Sequence, residues 1–149
     1  MSTLIKNKKA YYDYNILEEF EAGLVLSGAE VKAIKLGHLS IKGAFISLKG
    51  KKVLLKNMHV SRYKLAGQKQ KAYNPDQDRE LLLKKKEIQY LHGKMTMKGL
   101  TIIPISVYTT RRLIKVKIAL VKGKKKFDKR EAMKKKDIQR NLKQKLKNY

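Results

Sequence analysis

Alternation of apolar and basic side chains over residues 113–121 is the feature that most constrains the fold. The alternating positions are Ile114, Val116, Ile118 and Leu120 on one side and Lys115 and Lys117 on the other. A period of two is typical of a β-strand with one buried face. After Val121 the pattern stops, and the chain becomes mostly lysine. The sequence therefore predicts a strand-forming body followed by a basic C-terminal segment.

A second strand pattern precedes this one. Residues 100–108 are rich in β-branched side chains, and residues 110–112 predict a hairpin turn that joins them to the strand at 113–121. Pro104 lies within the earlier strand. Because proline cannot donate a ladder hydrogen bond, we expect it at a sheet edge or a bulge.

Other strand patterns lie earlier in the chain. Residues 41–48 and 53–60 predict another hairpin, and residues 79–83 a further short strand. Residues 14–28 form an extended run, which residues 22–23 (Ala-Gly) should interrupt or bend. These segments bring the number of predicted strands to about six.

Two helices are predicted within the body. Ser27 and Glu30 have the spacing of a capping box, and Gly37 provides a C-terminal stop. The second helix covers residues 84–97 and should end before Gly99. Six short antiparallel strands with few helices predict a mainly β fold, a small barrel closed on itself, because closure removes exposed edges.

The charge balance indicates the class of partner. Lysine and arginine number 37 against 12 acidic residues, giving a net charge of +25 and a pI near 10.2. Nucleic acid is the first partner that such a field favours, and an anionic membrane surface the second. Cysteine is absent, which excludes disulfides and thiolate zinc sites. With neither a signal-peptide pattern nor an apolar run of spanning length, we expect a soluble, cytoplasmic protein.

Candidate catalytic groups do not form a recognisable site. His38, His59 and His92 are scattered without ligand spacing, so surface or packing roles are expected. Glu19 and Glu21 would share a face of a regular strand, where many lysines favour a salt-bridged surface over a catalytic carboxylate pair. No nucleophile elbow or phosphate-cradling glycine-rich loop is present. We predict no enzymatic activity, no metal and no cofactor.

The segment that follows the body, residues 122–149, is predicted to be a tail. Its first nine residues contain six cations, which are Lys122, Lys124, Lys125, Lys126, Lys129 and Arg130. Lysines neutralise phosphates, and the Phe127 ring can stack on a base, so these residues suit an RNA-contacting arm. A solvated tail without a specific role is the alternative that composition leaves open.

Local pattern also predicts a conditional helix in this tail. Asp128 and Glu131 can cap a helix that starts at Lys129. The only apolar stripe, Ile138, Leu142 and Leu146, is too narrow to hold that helix against a core. We therefore expect a tail that is disordered alone and becomes helical when a polyanion neutralises it.

Seven blocks, in order along the chain, resemble the SsrA-binding protein (small protein B) family of bacterial ribosome rescue. The blocks are NKKAYYDY (7–14), EAGLVLSGAEVK (21–32), NMHV (57–60), LLLKKKEI (81–88), KGLTIIP (98–104), KVKIALVKGKK (115–125) and FDKR (127–130). The resemblance implies an oligonucleotide-binding-like (OB-like) barrel over residues 1–121 with two to three flanking helices, and a tail over residues 122–149.

The resemblance also implies partners and a mechanism. The partners would be the tRNA-like domain of transfer-messenger RNA (tmRNA) and, at the decoding centre, small-subunit ribosomal RNA. A monomer of the protein would deliver that RNA to stalled ribosomes, and its tail would fold along the vacant message channel. By the same resemblance, Asn7, Glu21 and Leu82 would bind RNA. Phe127 would stack on a decoding-centre base, and Asp128, Lys129 and Arg130 would control helix formation, while Lys122, Lys124, Lys125 and Lys126 contact phosphates.

Three other functions are alternatives for a basic chain of this kind. A ribosomal or other structural RNA-binding protein would associate with ribosomes constitutively. A nucleoid protein would bind duplex DNA equally well, and an RNA-modifying enzyme would need a cofactor pocket.

Overall fold

The computed structural model describes residues 2–64, 72–123 and 140. Its strands are β1 (Ser2–Lys6), β2 (Tyr14–Leu24), β3 (Leu39–Ser40), β4 (Phe45–Lys49), β5 (Lys52–Lys56), β6 (His59–Val60), β7 (Arg79–Leu82), β8 (Leu100–Thr110) and β9 (Leu113–Gly123). The helices in these ranges are α1 (Lys8–Asp13), α2 (Gly28–Lys35) and α3 (Lys85–Lys94). The mainly β prediction is confirmed.

Seven strands form one antiparallel sheet in the order β1-β8-β9-β2-β7-β5-β4, and β3 pairs with β6 in a separate ribbon. The three longest strands, β8, β9 and β2, have 11 residues each and lie side by side. The alternation from which we predicted β9 is thus the pattern of a central strand.

The sheet is open, so the predicted closed barrel is wrong. The strands at its two edges, β1 and β4, do not pair with each other within the described ranges, although β4 lies close to β8. The physical reason lies in the short first strand. Because β1 pairs only with the 106–109 part of β8 and the chain then turns into α1 at Asn7, no strand is left to bridge β8 and β4.

The β8–β9 hairpin confirms the predicted turn. Thr110 pairs with Leu113, and Arg111 takes the left-handed conformation with φ 57° that such tight turns require. The register shifts between Pro104 and Ser106, so Pro104 lies at a bulge, as predicted. The bulge accommodates the missing donor without breaking the strand.

The predicted hairpin at 41–60 is correct at its centre and too long at both ends. Phe45 pairs with Lys56 and Lys49 with Lys52. Asn57 has a φ of 63°, which redirects the chain so that residues 59–60 form β6 and pair with β3. A turn at residues 41–44 likewise precedes β4.

The interruption predicted at Ala22 and Gly23 does not occur. β2 runs through both residues, and its register shift lies between Ile16 and Glu18. Ala22 is buried against the core, and a Cβ at Gly23 would lie 3.5 Å from the Cβ of Leu82. Both small residues are therefore accommodated in a continuous strand that pairs with β7 and β9.

Both predicted helices are present. The capping box of α2 forms as expected, with the Ser27 hydroxyl accepting from the Glu30 N–H and the Glu30 carboxylate accepting from the Ser27 N–H, both at 3.2 Å. α3 ends at Lys94, three residues before the predicted end. The strands β1, β3 and β6 and the six-residue helix α1 were not predicted as separate elements, because short elements carry too few residues to show a period.

Two apolar clusters lie on opposite faces of the sheet. The main core, on the inner face, combines buried side chains of the strands with Ala33 and Ile34 of α2 and Leu91 of α3. A smaller cluster lies on the outer face under α1 and comprises Ala10, Ile103, Ile105, Ala119 and Val121. Because α1 covers only one end of the outer face, exposed side chains such as Glu21 and Leu82 lie on the rest of it.

Arg79 ties together the ends of the long segment 61–78. All five of its N–H groups are used: Nε donates to Glu30 Oε2 (2.6 Å), Nη1 to the carbonyls of Met58 (2.5 Å) and Gln77 (3.1 Å), and Nη2 to the Tyr73 hydroxyl (3.1 Å) and the Pro75 carbonyl (2.8 Å). The Tyr73 hydroxyl also lies 3.1 Å from Glu30 Oε2 and 2.9 Å from the Val60 carbonyl. This buried network fixes the segment where it leaves and rejoins the body.

Candidate RNA-binding interface

The uncovered part of the outer face carries two of the predicted RNA-binding residues. Glu21 pairs with Lys117, and two residues further along β2, Gly23 pairs with both Lys115 and Leu82. Residues two apart on a strand share a face. Glu21 and Leu82 therefore lie diagonally across β2 and β7 on one surface, beside the two lysines of β9. We call this surface the outer basic face, defined by Glu21, Leu82, Lys115 and Lys117.

Cross-strand ion pairs order this face. Lys115 Nζ lies 2.5 Å from Glu21 Oε1, and Lys117 Nζ lies 3.6 Å from Glu19 Oε2. Each pair joins diagonal neighbours of β2 and β9, within reach of a long side chain. The predicted salt-bridged arrangement of these acids is confirmed. Such exposed pairs contribute little to stability, so they mainly hold the lysines in defined positions.

Tyr108 of β8 supports Glu21 from the other side of Lys115. The phenol is almost fully buried and hydrogen-bonds to the Glu21 carboxylate. The hydrogen bond from Lys115, and after it the one from Tyr108, lowers the pKa of Glu21. Burial, followed by the interaction with Glu21, raises the pKa of Tyr108 well above its usual value. Glu21 is thus an ionised carboxylate with cation and phenol as its partners.

Leu82 projects from the sheet into solvent. Its neighbour Leu81 is buried, whereas 59% of Leu82 is exposed. Leu82 is therefore not part of the core, although its strand neighbour is. Leu113, on the same face two residues before Lys115, is 63% exposed. Two aliphatic side chains are therefore available for contact beside the ordered lysines.

Asn7 lies apart from Glu21 and Leu82 and has structural partners. Its Oδ1 accepts from the Ala10 N–H at 3.2 Å and caps α1, while its Nδ2 donates to the Pro104 carbonyl at 3.4 Å. Asn7 follows the last residue of β1, whereas Glu21 is on β2, with β8 and β9 between. That is three strand spacings, roughly 14 Å. The structure therefore separates Asn7 from the other two predicted residues.

Two of the three histidines, and Glu18 of β2, form surface contacts. His59 Nδ1 lies 2.9 Å from Asp76 Oδ1, and His92 Nε2 lies 2.6 Å from the Gly50 carbonyl. The Tyr90 hydroxyl donates to Glu18 at 2.6 Å, which raises the pKa of Tyr90.

In the described part of the chain, no group of three or more acidic, histidine or cysteine side chains could hold a metal ion. No helix in that part is long and apolar enough to span a membrane.

Most of the predicted tail site lies outside the described residues. Lys122 is described: it is exposed at the end of β9 and pairs with Asn15 and Leu100. The other predicted tail residues, which lie outside, are Lys124, Lys125, Lys126, Phe127, Asp128, Lys129 and Arg130.

Comparison with known proteins places these features in a family. The family model described as "SmpB protein" matches residues 4–148. The chain belongs to the SmpB family. Among SmpB relatives, the SsrA-binding protein of Caldicellulosiruptor saccharolyticus is 44% identical over 151 residues, which cover 100% of this chain and 93% of the relative. The SsrA-binding protein of Thermosipho africanus is 46% identical over 148 residues, covering 99% and 98%.

The SmpB fold is also found among solved structures. A chain in a structure described as "tmRNA-SmpB: a journey to the center of the bacterial ribosome" matches with a TM-score of 0.67 and 35% sequence identity, covering 87% of this chain and 93% of that chain. The mainly antiparallel architecture is therefore that of an SmpB protein, and the predicted family is confirmed.

Lys115, Lys117 and Tyr108 were not among the predicted site residues. The alternation that predicted β9 already assigned both lysines to its solvent face. The alternation does not predict the register between β9 and β2, and it is this register that puts the two lysines beside Glu19 and Glu21. Nothing in the local sequence indicates that Tyr108 is buried beside them.

Proposed function

We propose that the chain binds the tRNA-like domain of tmRNA and delivers it to stalled ribosomes for trans-translation. The observation that carries this proposal is the SmpB family match, which runs over residues 4–148, together with relatives named SsrA-binding protein along the whole chain. The net charge of +25 suits an RNA partner. The comparisons do not favour the alternative, a ribosomal or other structural RNA-binding protein.

The outer basic face is the part of the body that we assign to RNA recognition. Lys115 and Lys117 supply phosphate contacts in fixed positions, because Glu21 and Glu19 hold their ammonium groups. Glu21 acts chiefly through Lys115, since its carboxylate is already occupied by Lys115 and Tyr108. Leu82 adds an apolar contact to a ribose or base. These contacts suit the irregular, single-stranded parts of a folded RNA.

The role that we propose for Asn7 is indirect. Its side chain caps α1 and holds the β8 bulge, so it positions the backbone around it. In this proposal, Asn7 contributes to RNA binding by placing the lysines of α1.

We assign the contacts that follow delivery to the ribosome to residues 122–149. Lys122, Lys124, Lys125 and Lys126 would contact small-subunit ribosomal RNA phosphates, and Phe127 would stack on a base of the decoding centre. Asp128, Lys129 and Arg130 would start a helix along the vacant message channel. The remainder, residues 1–121, forms the RNA-binding body. In the same proposal, the protein is a cytoplasmic monomer and catalyses no reaction itself.

Competitive binding tests the proposal. Labelled tRNA-like domain of tmRNA is titrated with the full chain at a salt concentration on the order of 0.2–0.3 M, where counterion-driven binding is weak. Elongator tRNA and duplex DNA serve as competitors, and a version ending at Gly123 is tested beside the full chain. We expect selective binding that survives the truncation, while ribosome rescue in a stalled translation reaction is lost.

Equal binding to all three nucleic acids, abolished with the tail, would contradict the proposal. The chain would then be a general basic nucleic-acid binder.

A further inference from the structure

A cleft lies at the open seam of the sheet. On one side is α1 with the end of β1, and on the other are residues 40–45 and the start of β8. This seam cleft has a volume of about 660 Å³. It exists because β1 ends opposite Ser106, which leaves the first half of β8 without a paired strand on that side. The cleft is therefore a consequence of the unclosed barrel.

Cations dominate the rim of the seam cleft. Four lysines line it, Lys6, Lys8, Lys9 and Lys42, against one acid, Asp13. All four lysines are exposed. Three come from β1 and α1, and Lys42 faces them from the opposite wall. The rim thus has a local excess of three positive charges, which attracts an anion.

The interior is apolar and contains an aromatic ring. Ile41, Ala44 and Ile103 are buried in its walls, and Phe45 is 39% exposed. Phe45 follows a turn in which Gly43 has a φ of 74°, so the turn presents Lys42 and Phe45 together. Among the described residues, Lys42 forms no ion pair and the Phe45 ring stacks on no other ring.

These features together indicate the chemistry of a ligand. A cleft of this size is typical of a site for one small molecular group, with polar contacts on an apolar lining. Lysines at the rim bind phosphate, and an exposed ring in the wall stacks on a base. We propose that the seam cleft binds a single unpaired ribonucleotide, with its phosphate at Lys42 and its base against Phe45.

This inference rests on the proposed function and adds a second RNA contact, separate from the outer basic face. The nucleotide can belong to tmRNA or to ribosomal RNA, because both present unpaired bases on an anionic backbone. The charge of the rim favours either RNA over an uncharged or acidic partner.

Substitutions in the cleft test the inference. Phe45→Ala and Lys42→Ala are compared with Leu36→Ala and Lys52→Ala, which change exposed residues elsewhere. Binding is measured against the isolated tRNA-like domain of tmRNA and, separately, against ribosomes. We expect Phe45→Ala to weaken binding to at least one RNA about 5-fold or more, the equivalent of roughly 1 kcal/mol. Lys42→Ala should lower the slope of log K against log salt by about 0.7–0.9.

One more variant and the comparison of the two RNAs distinguish the possible results. Phe45→Tyr keeps the ring and should bind as the unmodified chain does, whereas loss of binding in both Phe45 variants would contradict stacking. Weakening with tmRNA alone identifies that RNA as the source of the nucleotide, and weakening with ribosomes alone identifies ribosomal RNA. If both cleft variants bind both RNAs like the controls, the inference is overturned. Failure of the unmodified chain to select tmRNA would instead overturn the proposed function.

Discussion

The Nε of Arg79 lies 2.6 Å from Oε2 of Glu30, with both side chains almost completely buried. Glu30 also closes the capping box of α2, and Arg79 begins β7. One ion pair therefore connects the start of a helix, a strand and the segment before that strand. Because all five donors of Arg79 are satisfied, the desolvation cost of this charge is offset by hydrogen bonds as well as by the ion pair.

Arg79→Met should strongly destabilise the fold. The substitution leaves the Glu30 carboxylate buried without its cation, which costs about 3–5 kcal/mol. Urea unfolding measures the loss. Lys56→Met serves as the control, because the Lys56–Asp78 pair is partly exposed and 3.6 Å apart, so its removal should cost less than about 1 kcal/mol. Equal losses in the two variants would refute the role of the buried pair.

The contribution of Glu30 should disappear in acid. Burial raises the pKa of Glu30, but hydrogen bonds from Arg79 and Ser27 and the Arg79 charge outweigh it, so the folded-state pKa lies below the usual 4.5. A lowered pKa stabilises the fold above the unfolded-state value, and the stabilisation is lost as the pH falls through the folded-state value.

Unfolding free energies of the unmodified chain and Glu30→Gln at two pH values check this expectation. The difference in unfolding free energy between the two proteins should be large at about pH 7. It should narrow as the pH falls below 4.5 and through the lowered folded-state pKa of Glu30. A difference that does not change with pH would show that Glu30 is not ionised in the folded protein.

Lys115→Ala should weaken binding to the tRNA-like domain of tmRNA and lower the salt slope by about 0.7–0.9, the amount expected for one lost phosphate contact. Glu21→Gln should weaken binding less than Lys115→Ala does. Its salt slope should stay close to that of the unmodified chain, because Lys115 is still present but less well placed. Filter binding over a salt series measures both. Lys52→Ala, on the β5 surface, is the control. A Lys115→Ala slope equal to that of the control would remove Lys115 from the interface.

Leu82→Ala should reduce RNA affinity with little effect on stability, because 59% of the side chain is already exposed. Leu36→Ala is the matched control, since Leu36 is 61% exposed on the helix side of the molecule. RNA affinity and thermal unfolding are measured for both variants. If Leu82→Ala lowers the unfolding temperature and binds RNA normally, Leu82 is a packing residue.

Patterns that extend over many residues were read correctly from the sequence. The alternation in β9 and the apolar run of β8 each span a whole strand, and the capping box of α2 depends only on residues three apart. The bulge at Pro104 was likewise predicted from a single residue, because proline has no N–H to donate to a neighbouring strand. In each case the signal and the structure that it predicts lie within one segment.

Expectations that depended on distant contacts were less reliable. Ala22 and Gly23 suggested a break in β2, but pairing with β7 and β9 keeps the strand continuous through both residues. Closure of the barrel depended on whether β1 could reach β4, which the early turn into α1 prevents. Neither outcome is encoded near the residues concerned.

By itself the sequence determined the antiparallel β character of the body, the basic charge and, through its seven blocks, the family. Only the tertiary structure decided that Glu21 holds Lys115, that Tyr108 is buried behind them, and that an open seam lies beside α1. The physical reason is how far apart along the chain the interacting residues lie. Periodicity and capping act between neighbours in the chain, whereas strand register and burial depend on which distant segments pack together.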